Sequence, residues 1–284
     1  MTGERKDRIF LNYLLARAIG DGQLFFMNAE CRESHSKKWN TDLSCCPIFA
    51  LPINLVDATW QPSEKQSVRV VSVGRLVNFK TYNLGAPRIV SECLNRGLDV
   101  TWDIYGDGPL HGLIKTEIET LGIVNNVRLM GALEYRDFPA TVAGYDLFVG
   151  MGTAALEAAM LGVPTICATV DEATRCYGYL HVLPYGNVGE LQEKPPTLEL
   201  ADLIQAYYGF GQEQRTLLSE QSRAAAEKYG MPEFAEAVTH MAGSRQPAPN
   251  RLVKRLVGEL YRFATESYAA KVVRRHALKK VRSA

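Results

Sequence analysis

The sequence lacks any run of the roughly 18 to 20 apolar residues that a membrane-spanning helix needs. The segment from Met1 to Asp7 leads into no apolar core of a secretory signal peptide. From these two absences we expect a cytoplasmic protein.

The cysteines and histidines also lack the spacing of a metal or disulfide framework. Six cysteines contain no Cys-x-x-Cys pair, and the five histidines are scattered along the chain. We therefore expect free thiols, no metal site and no cofactor.

The chain has almost no net charge, with 32 Lys and Arg residues against 31 Asp and Glu residues. Together with a hydrophobic share of 46%, this excludes a disordered chain and a uniformly basic nucleic-acid binder. With 284 residues, the chain can form one large or two ordinary domains with a sizeable core.

The charge is unevenly distributed, because residues 251–284 hold ten Lys and Arg residues and only two Glu residues. A Gly- and Pro-containing linker, 243–250, precedes this tail. At 100° per residue, residues 251–268 form an amphipathic helix, whose apolar face we expect to pack on the protein itself. For the basic end, Lys271 to Arg282, attraction to an anionic membrane surface at the inner leaflet is the favoured interpretation.

The central block alternates short β-branched runs with helical patterns, which predicts a doubly wound, Rossmann-like α/β domain with a parallel sheet covered on both faces. The predicted strands are 68–73, 100–105, 127–130, 147–149 and 164–170, and the predicted helices are 84–94, 110–121, 135–143 and 154–161.

The front of the chain has too few elements for a core of its own. It shows a helical pattern at Ile9 to Ala18 and strand patterns at Gln23 to Met27 and Pro47 to Leu51. We therefore predict three parts: a partial α/β piece at 1–60, a ligand-binding domain at 61–242, and a linker with a basic helix at 243–284.

Ligands of open parallel sheets bind beyond the carboxyl ends of the strands, where Gly-rich loops enter helices. Here the loops carry Gly74, Arg75 and Lys80 after the first strand, Gly106 and Gly108 after the second, and Gly152, Thr153 and Ala154 after the fourth. Two cations and the N–H groups at a helix start favour a diphosphate. The alternative is that the cations are solvated and the glycines only form turns.

Glu157 lies in the first turn of the helix that Thr153 opens. A carboxylate there can accept hydrogen bonds from ribose hydroxyls, as acidic residues do in dinucleotide folds. Its alternative role is to complement the helix dipole, which contributes roughly 0.3 to 1 kcal/mol.

Four segments, taken in their order along the chain, resemble the donor-binding half of family-four retaining glycosyltransferases of the GT-B fold. They are Gly74-Arg75 with Lys80, Tyr105-Gly106-Asp107-Gly108, Val127 to Gly131, and Leu156-Glu157 through Pro164. The resemblance covers about residues 47–240. It implies a nucleotide diphosphate sugar as donor, a saccharide or lipid-linked acceptor, and no metal. By similarity, Arg75 and Lys80 hold the diphosphate, the backbone of Gly152 to Ala154 approaches it, and Glu157 binds the ribose.

The chain departs from that family in two ways. The acid that often lies eight residues before Glu157 is replaced by Val149, and only the last part of an acceptor domain fits residues 1–60. Two alternatives therefore stay open beside a transferase of cell-surface polysaccharide or glycolipid assembly. One is a non-catalytic sugar-nucleotide-binding subunit with a partner chain, and the other is a GT-B-like nucleotide-sugar epimerase.

Overall fold

The computed structural model describes residues 24–50, 52–57, 59–63, 67–232, 234–236 and 239. The chain divides into two compact units. One is Ala50–Glu236, and the other includes residues 24–49. The predicted helix Ile9 to Ala18 and the predicted segments 243–250, 251–268 and 271–282 lie outside the described residues.

A seven-stranded sheet forms the centre of the Ala50–Glu236 unit, in the order β3-β2-β1-β4-β5-β6-β7. The strands are β1 Val68–Val73, β2 Val100–Tyr105, β3 Val127–Gly131, β4 Leu147–Gly150, β5 Thr165–Ala168, β6 Arg175–Tyr179 and β7 Leu198–Glu199. The first five are parallel, which confirms the predicted α/β architecture.

Strands β6 and β7, which the sequence analysis did not predict, pair antiparallel to their neighbours. Only residues 169–174 connect β5 to β6. A parallel crossover needs roughly a dozen residues or more, so this short connection can only return as a hairpin.

Helices cover both faces of the sheet. They are α2 Tyr82–Asn95, α3 His111–Leu121, α4 Phe138–Val142, α5 Thr153–Met160, α6 Leu200–Tyr208 and α7 Gln212–Glu227, with 3-10 turns at Tyr135–Asp137 and Leu180–Val182. One predicted helix, 135–143, is split into a 3-10 turn and the short α4. Pro139 lies at the start of α4, where its missing N–H is tolerated.

The apolar core has two layers, one on each face of the sheet. Side chains of α2, α3 and α6 form one layer, and those of α4, α5 and α7 form the other. Trp102 and Trp60 are core residues, 0% and 4% exposed. Their indole N–H groups donate to Ser72 Oγ (2.8 Å) and to the Tyr145 carbonyl (2.7 Å), so neither ring is a free stacking surface.

The segment that precedes β1 belongs to the same unit. Ile53 N donates to the Tyr229 carbonyl at 2.8 Å, and Trp60 N donates to the Leu161 carbonyl at 3.1 Å. The compact unit therefore begins at Ala50, before the predicted boundary at residue 61.

Residues 24–49 contain a helix that the sequence analysis missed, α1 Ala29–Trp39. Its sequence is polar on every side, so it shows no apolar periodicity, but Asn28 caps it by accepting from Cys31 N at 2.7 Å. The two strands predicted here reduce to one parallel bridge, Phe26 with Ile48.

All six cysteines are free, as predicted. Across the part of the chain that the structure describes, no helix has both the length and the apolarity to cross a membrane.

Candidate active site

The strand order places the candidate site between β1 and β4. From β1 the chain continues to β2 on one side, whereas from β4 it continues to β5 on the other. Ser72 Oγ donates to the Val149 carbonyl at 2.7 Å and ties the carboxyl ends of the two strands together. Such a reversal point is where open α/β sheets bind ligands.

Gly74 and Lys80 meet at the end of β1. A Cβ on Gly74 would lie 2.9 Å from Lys80 Nζ, so the missing side chain makes the space that the ammonium occupies. Burial, and secondarily the positive charge of Arg75, lower the pKa of Lys80. Within the described ranges neither cation forms an ion pair with an acidic side chain. Two adjacent cations without a counter-charge are suited to bind an anion.

Gly106 and Gly108 support the loop that carries Arg75. A Cβ on Gly106 would lie 1.9 Å from the Gly74 carbonyl oxygen, and one on Gly108 would lie 2.5 Å from that of Leu76. Leu76 N donates to the Asp107 carbonyl at 2.9 Å in the same interface. The geometry thus gives these glycines a backbone-packing role, and their predicted contact with a ligand stays a prediction.

The start of α5 offers two N–H groups to a ligand. Gly152, with φ +74°, forms the turn, but its own N–H donates to the Val188 carbonyl at 2.8 Å. The predicted backbone approach of Gly152 is therefore not available through its N–H. Within the part of the chain described, the N–H groups of Thr153 and Ala154 have no acceptor, as expected at a helix start with its positive dipole end.

Glu157 lies one turn after Thr153 on the same face of α5, and not in the first turn as predicted. The Cβ atoms of the two residues are therefore roughly 5 to 6 Å apart. Tyr135 Oη donates to Glu157 Oε1 at 2.9 Å. Burial raises the pKa of Glu157, and the hydrogen bond from Tyr135 opposes that shift. The carboxyl group is thus half-buried but still has acceptor capacity.

A pocket of about 230 Å³ opens beside Glu157. Its lining is mostly apolar and includes Asn54, Val56, Tyr135, Phe138, Met160 and Leu161. The site therefore has a cationic part at Arg75 and Lys80 and an acidic, apolar part at Glu157, and the start of α5 joins them.

The sequence analysis missed three features of the site. Tyr82 and Asn83, at the start of α2, are 0% and 1% exposed, and among the described residues their side-chain polar atoms lack hydrogen-bond partners of normal geometry. Asp171, with φ +60°, lies in the loop after β5, and its N–H donates to the Phe79 carbonyl at 3.0 Å. Only Asp171 could have been identified from the sequence, because it is an acid directly after a predicted strand.

Residues 67–194 match the family model described as glycosyl transferases group 1. The poly(glycerol-phosphate) alpha-glucosyltransferase of Bacillus subtilis (strain 168) is 29% identical over 181 residues, which cover 62% of this chain and 25% of that protein. The chain thus spans about a quarter of the length of this relative.

Solved structures share the fold at low identity. A mutant of TarM from S. aureus, in complex with Fondaparinux, alpha-GlcNAc-glycerol and UDP, has a TM-score of 0.58 and 16% identity, over 78% of this chain and 44% of that one. A glycosyltransferase from Rickettsia africae ESF-5 has a TM-score of 0.64 and 13% identity, over 86% and 69%. The pneumococcal O-GlcNAc transferase GtfA, in complex with UDP and GlcNAc, has a TM-score of 0.53 and 20% identity, over 78% and 45%.

Residues 67–194 of the α/β unit are thus similar to glycosyl transferases group 1, and the unit has a GT-B-type fold, as predicted.

Proposed function

We propose that this chain transfers a hexosyl group from a nucleotide diphosphate sugar to a saccharide or lipid-linked acceptor in cell-surface polysaccharide or glycolipid biosynthesis. The observation that carries the proposal is the pair of cations, Arg75 and Lys80, which have no acidic partner among the described residues and lie at the β1–β4 reversal point. The N–H groups of Thr153 and Ala154 lie at the same sheet edge and provide further donors for phosphate oxygens.

In the proposed reaction the bond between the anomeric carbon and the diphosphate oxygen breaks as an acceptor hydroxyl forms a new bond to that carbon, and the proton of the hydroxyl passes to the departing diphosphate. Positive charge develops on the sugar and negative charge on the departing diphosphate. Arg75, Lys80 and the N–H groups of α5 stabilise the negative charge, which is where most of the rate enhancement arises. We propose retention of the anomeric configuration and, since two protein cations neutralise the leaving group, independence from metal.

In this proposal Glu157 binds the nucleoside part of the donor. Its carboxylate accepts hydrogen bonds from the ribose hydroxyls, and the adjacent apolar pocket lies where a base can be buried. The cationic part of the site and Glu157 therefore recognise different pieces of the same donor.

A thermal-shift comparison of the wild type with Glu157→Gln distinguishes recognition of the diphosphate from recognition of the nucleoside. Nucleotide diphosphates should raise the melting temperature of the wild type by mass action, by about 2.7 kcal/mol of stability at 100 times Kd. In Glu157→Gln, inorganic pyrophosphate should stabilise as in the wild type, whereas the nucleotide diphosphates should stabilise less. Gln can still accept the Tyr135 hydrogen bond and removes a carboxyl group whose pKa burial raises, so the unliganded protein should not lose stability.

The matched control is Glu119→Gln, an exposed acid on α3 away from the loops of the site. It should leave both ligand responses unchanged. No stabilisation of the wild type by any nucleotide diphosphate would contradict the proposed function, and equal loss for pyrophosphate and nucleotide in Glu157→Gln would contradict the ribose role.

A second candidate is a nucleotide-sugar-binding subunit that works with a partner chain. It is favoured by the occurrence of a two-chain GtfA/B complex among the structural relatives. Turnover of a donor sugar by the purified chain alone distinguishes a transferase from such a subunit.

We also propose that the basic segment Lys271 to Arg282 attracts the enzyme to an anionic membrane surface, where a lipid-linked acceptor would lie. The full chain should co-sediment with vesicles containing anionic lipid, and deletion of residues 271–284 should abolish this at low salt. Equal sedimentation of the truncated and full chains would disprove the membrane role.

A further inference from the structure

The phenol of Tyr135 connects two walls of the pocket beside Glu157. Tyr135 lies in the 3-10 turn Tyr135–Asp137, whereas Glu157 lies on α5, and Tyr135 Oη donates to Glu157 Oε1 at 2.9 Å. Asn54, on the segment before β1, lines the same pocket and also forms a side-chain hydrogen bond with the phenol. Three segments that are distant in the sequence thus meet in a chain of polar groups at this pocket.

The stability of the fold does not account for Tyr135. Its side chain is 67% exposed, so its ring buries little apolar area. As with surface ion pairs, a polar contact at so exposed a position adds little to the free energy of unfolding. The partner of the phenol, however, is Glu157, the acid that we propose for the ribose.

The contact uses only part of the acceptor capacity of Glu157. A carboxylate has two oxygens, each with more than one acceptor site. Oε1 accepts the phenol hydrogen, and among the residues that the structure describes Oε2 accepts no hydrogen bond. The phenol therefore fixes the carboxylate through one oxygen while the other stays available to a ligand.

We infer that Tyr135 is a positioning residue for Glu157: its hydroxyl group holds the carboxylate so that Oε2 is presented to the ribose hydroxyls of a bound nucleotide. A long side chain loses rotamer freedom when it binds a ligand, and a carboxylate that is already held loses less. The role toward a ribose rests on the proposed function, whereas the contact between the phenol and the carboxylate does not.

The hydrogen bond also keeps Glu157 ionised. Burial raises the pKa of Glu157, and the hydrogen bond from Tyr135 lowers it. In turn, the hydrogen bond to Glu157 and then its negative charge raise the pKa of Tyr135. The phenol therefore remains a neutral donor at physiological pH.

Other charged groups around Glu157 do not replace the phenol. Arg136, which lines the same pocket, is 85% exposed, and its Nε lies 3.8 Å from Asp137 Oδ2. On α7, which packs against α5, Arg223 Nε lies 3.0 Å from Glu227 Oε1. Helix α4 and the rest of α5 carry no acidic or basic side chain. Among the described residues neither arginine forms an ion pair with Glu157.

Tyr135→Phe tests the inference, with Tyr185→Phe as the matched control. Phenylalanine keeps the ring and removes only the hydroxyl group, so the variant of this exposed residue should fold as the wild type does. Tyr185 is also exposed, at 47%, but its ring packs against Tyr229 and does not line the pocket. Titration calorimetry of the full chain should show about fivefold weaker binding of UDP to Tyr135→Phe and unchanged binding of inorganic pyrophosphate. Tyr185→Phe should bind both ligands as the wild type does.

A double substitution shows whether Tyr135 acts through Glu157. In Glu157→Ala the carboxylate is absent, so adding Tyr135→Phe should cause no further loss of UDP affinity. A further loss of the same size in that background would mean that the phenol contacts the nucleotide directly, and it would overturn the positioning role.

A second measurement needs no nucleotide. The carboxyl carbon resonance of Glu157, identified by its absence from Glu157→Gln, reports the protonation of this group in a pH titration followed by NMR. Loss of the phenol donor should move the titration of Glu157 to higher pH, because the hydrogen bond favours the ionised form. On acidification, the UDP affinity of Tyr135→Phe should accordingly begin to fall at a higher pH than that of the wild type.

These results also distinguish the inference from the proposed function. If the wild type binds neither UDP nor pyrophosphate but Tyr135→Phe shifts the titration of Glu157, the hold of the phenol on the carboxylate stands and the proposed function fails. If Tyr135→Phe changes neither the UDP affinity nor the titration of Glu157, the inference is overturned. Equal losses of UDP and pyrophosphate affinity, or a shifted titration with wild-type UDP affinity, would also overturn it.

Discussion

Replacement of Lys80 by alanine should weaken the binding of a nucleotide diphosphate about 100-fold and reduce donor-sugar turnover by at least as much. Charge-assisted hydrogen bonds contribute roughly 1.5 to 3 kcal/mol each, and Lys80 can make more than one to a diphosphate. The lost charge also stabilises the departing diphosphate in the proposed reaction, so the effect should appear in kcat as well as in KM. Calorimetry and steady-state kinetics of the full chain measure both.

The control for this variant is Lys115→Ala on α3, whose ammonium is exposed and only 3.9 Å from Glu119. It should leave binding and turnover unchanged. Since the pKa of Lys80 is lowered, the affinity of the wild type for a nucleotide diphosphate should decline at a lower alkaline pH than the pH at which an exposed lysine loses its proton. The variant Lys80→Ala should not show this decline. Wild-type affinity of Lys80→Ala for both nucleotide and pyrophosphate would remove Lys80 from the site.

Replacement of Gly106 by alanine should destabilise the fold by about 2 to 3 kcal/mol and should also weaken nucleotide binding. The new methyl group would lie 1.9 Å from the carbonyl oxygen of Gly74 and 2.9 Å from its carbonyl carbon. Both are backbone atoms, so the clash can be relieved only by displacing the loop that carries Arg75. Chemical denaturation measures the first effect and nucleotide titration the second.

Gly112→Ala is the matched control for Gly106→Ala. Gly112 lies in α3, and nothing lies within 4 Å of the Cβ that it would gain. Because alanine has the better helix propensity, this change should stabilise the fold by roughly 0.5 kcal/mol and leave binding unchanged. Wild-type stability of Gly106→Ala would show that the β1 and β2 loops can separate without loss.

The sequence predicts the scaffold of the site well because its signals are local. Strands β1 to β5 are short β-branched runs, and a cation directly after β1 must lie at the carboxyl edge of a parallel sheet. Arg75, Lys80 and the start of α5 could therefore be placed near one another before any coordinates. The role of each residue at that edge remains a prediction.

What the sequence could not predict depends on contacts between distant segments. Val188 accepts the Gly152 N–H, and Gly106 packs on Gly74, so both glycines hold backbone against backbone, and their contact with a ligand stays a prediction. Tyr82 gives no signal, since a tyrosine at a helix start is ordinary and its burial arises only from the fold. Helix α1 was missed because its residues are polar on every side.

The antiparallel end of the sheet also affects how the protein behaves at high concentration. Strand β7, at the end of the described sheet, has only two residues, Leu198 and Glu199. So short an edge exposes few unpaired backbone groups to the edge of another molecule, and its carboxylate, Glu199, is neutralised by Arg175 at 2.8 Å. The reversal of direction after β5 therefore protects this side of the domain from strand-to-strand aggregation.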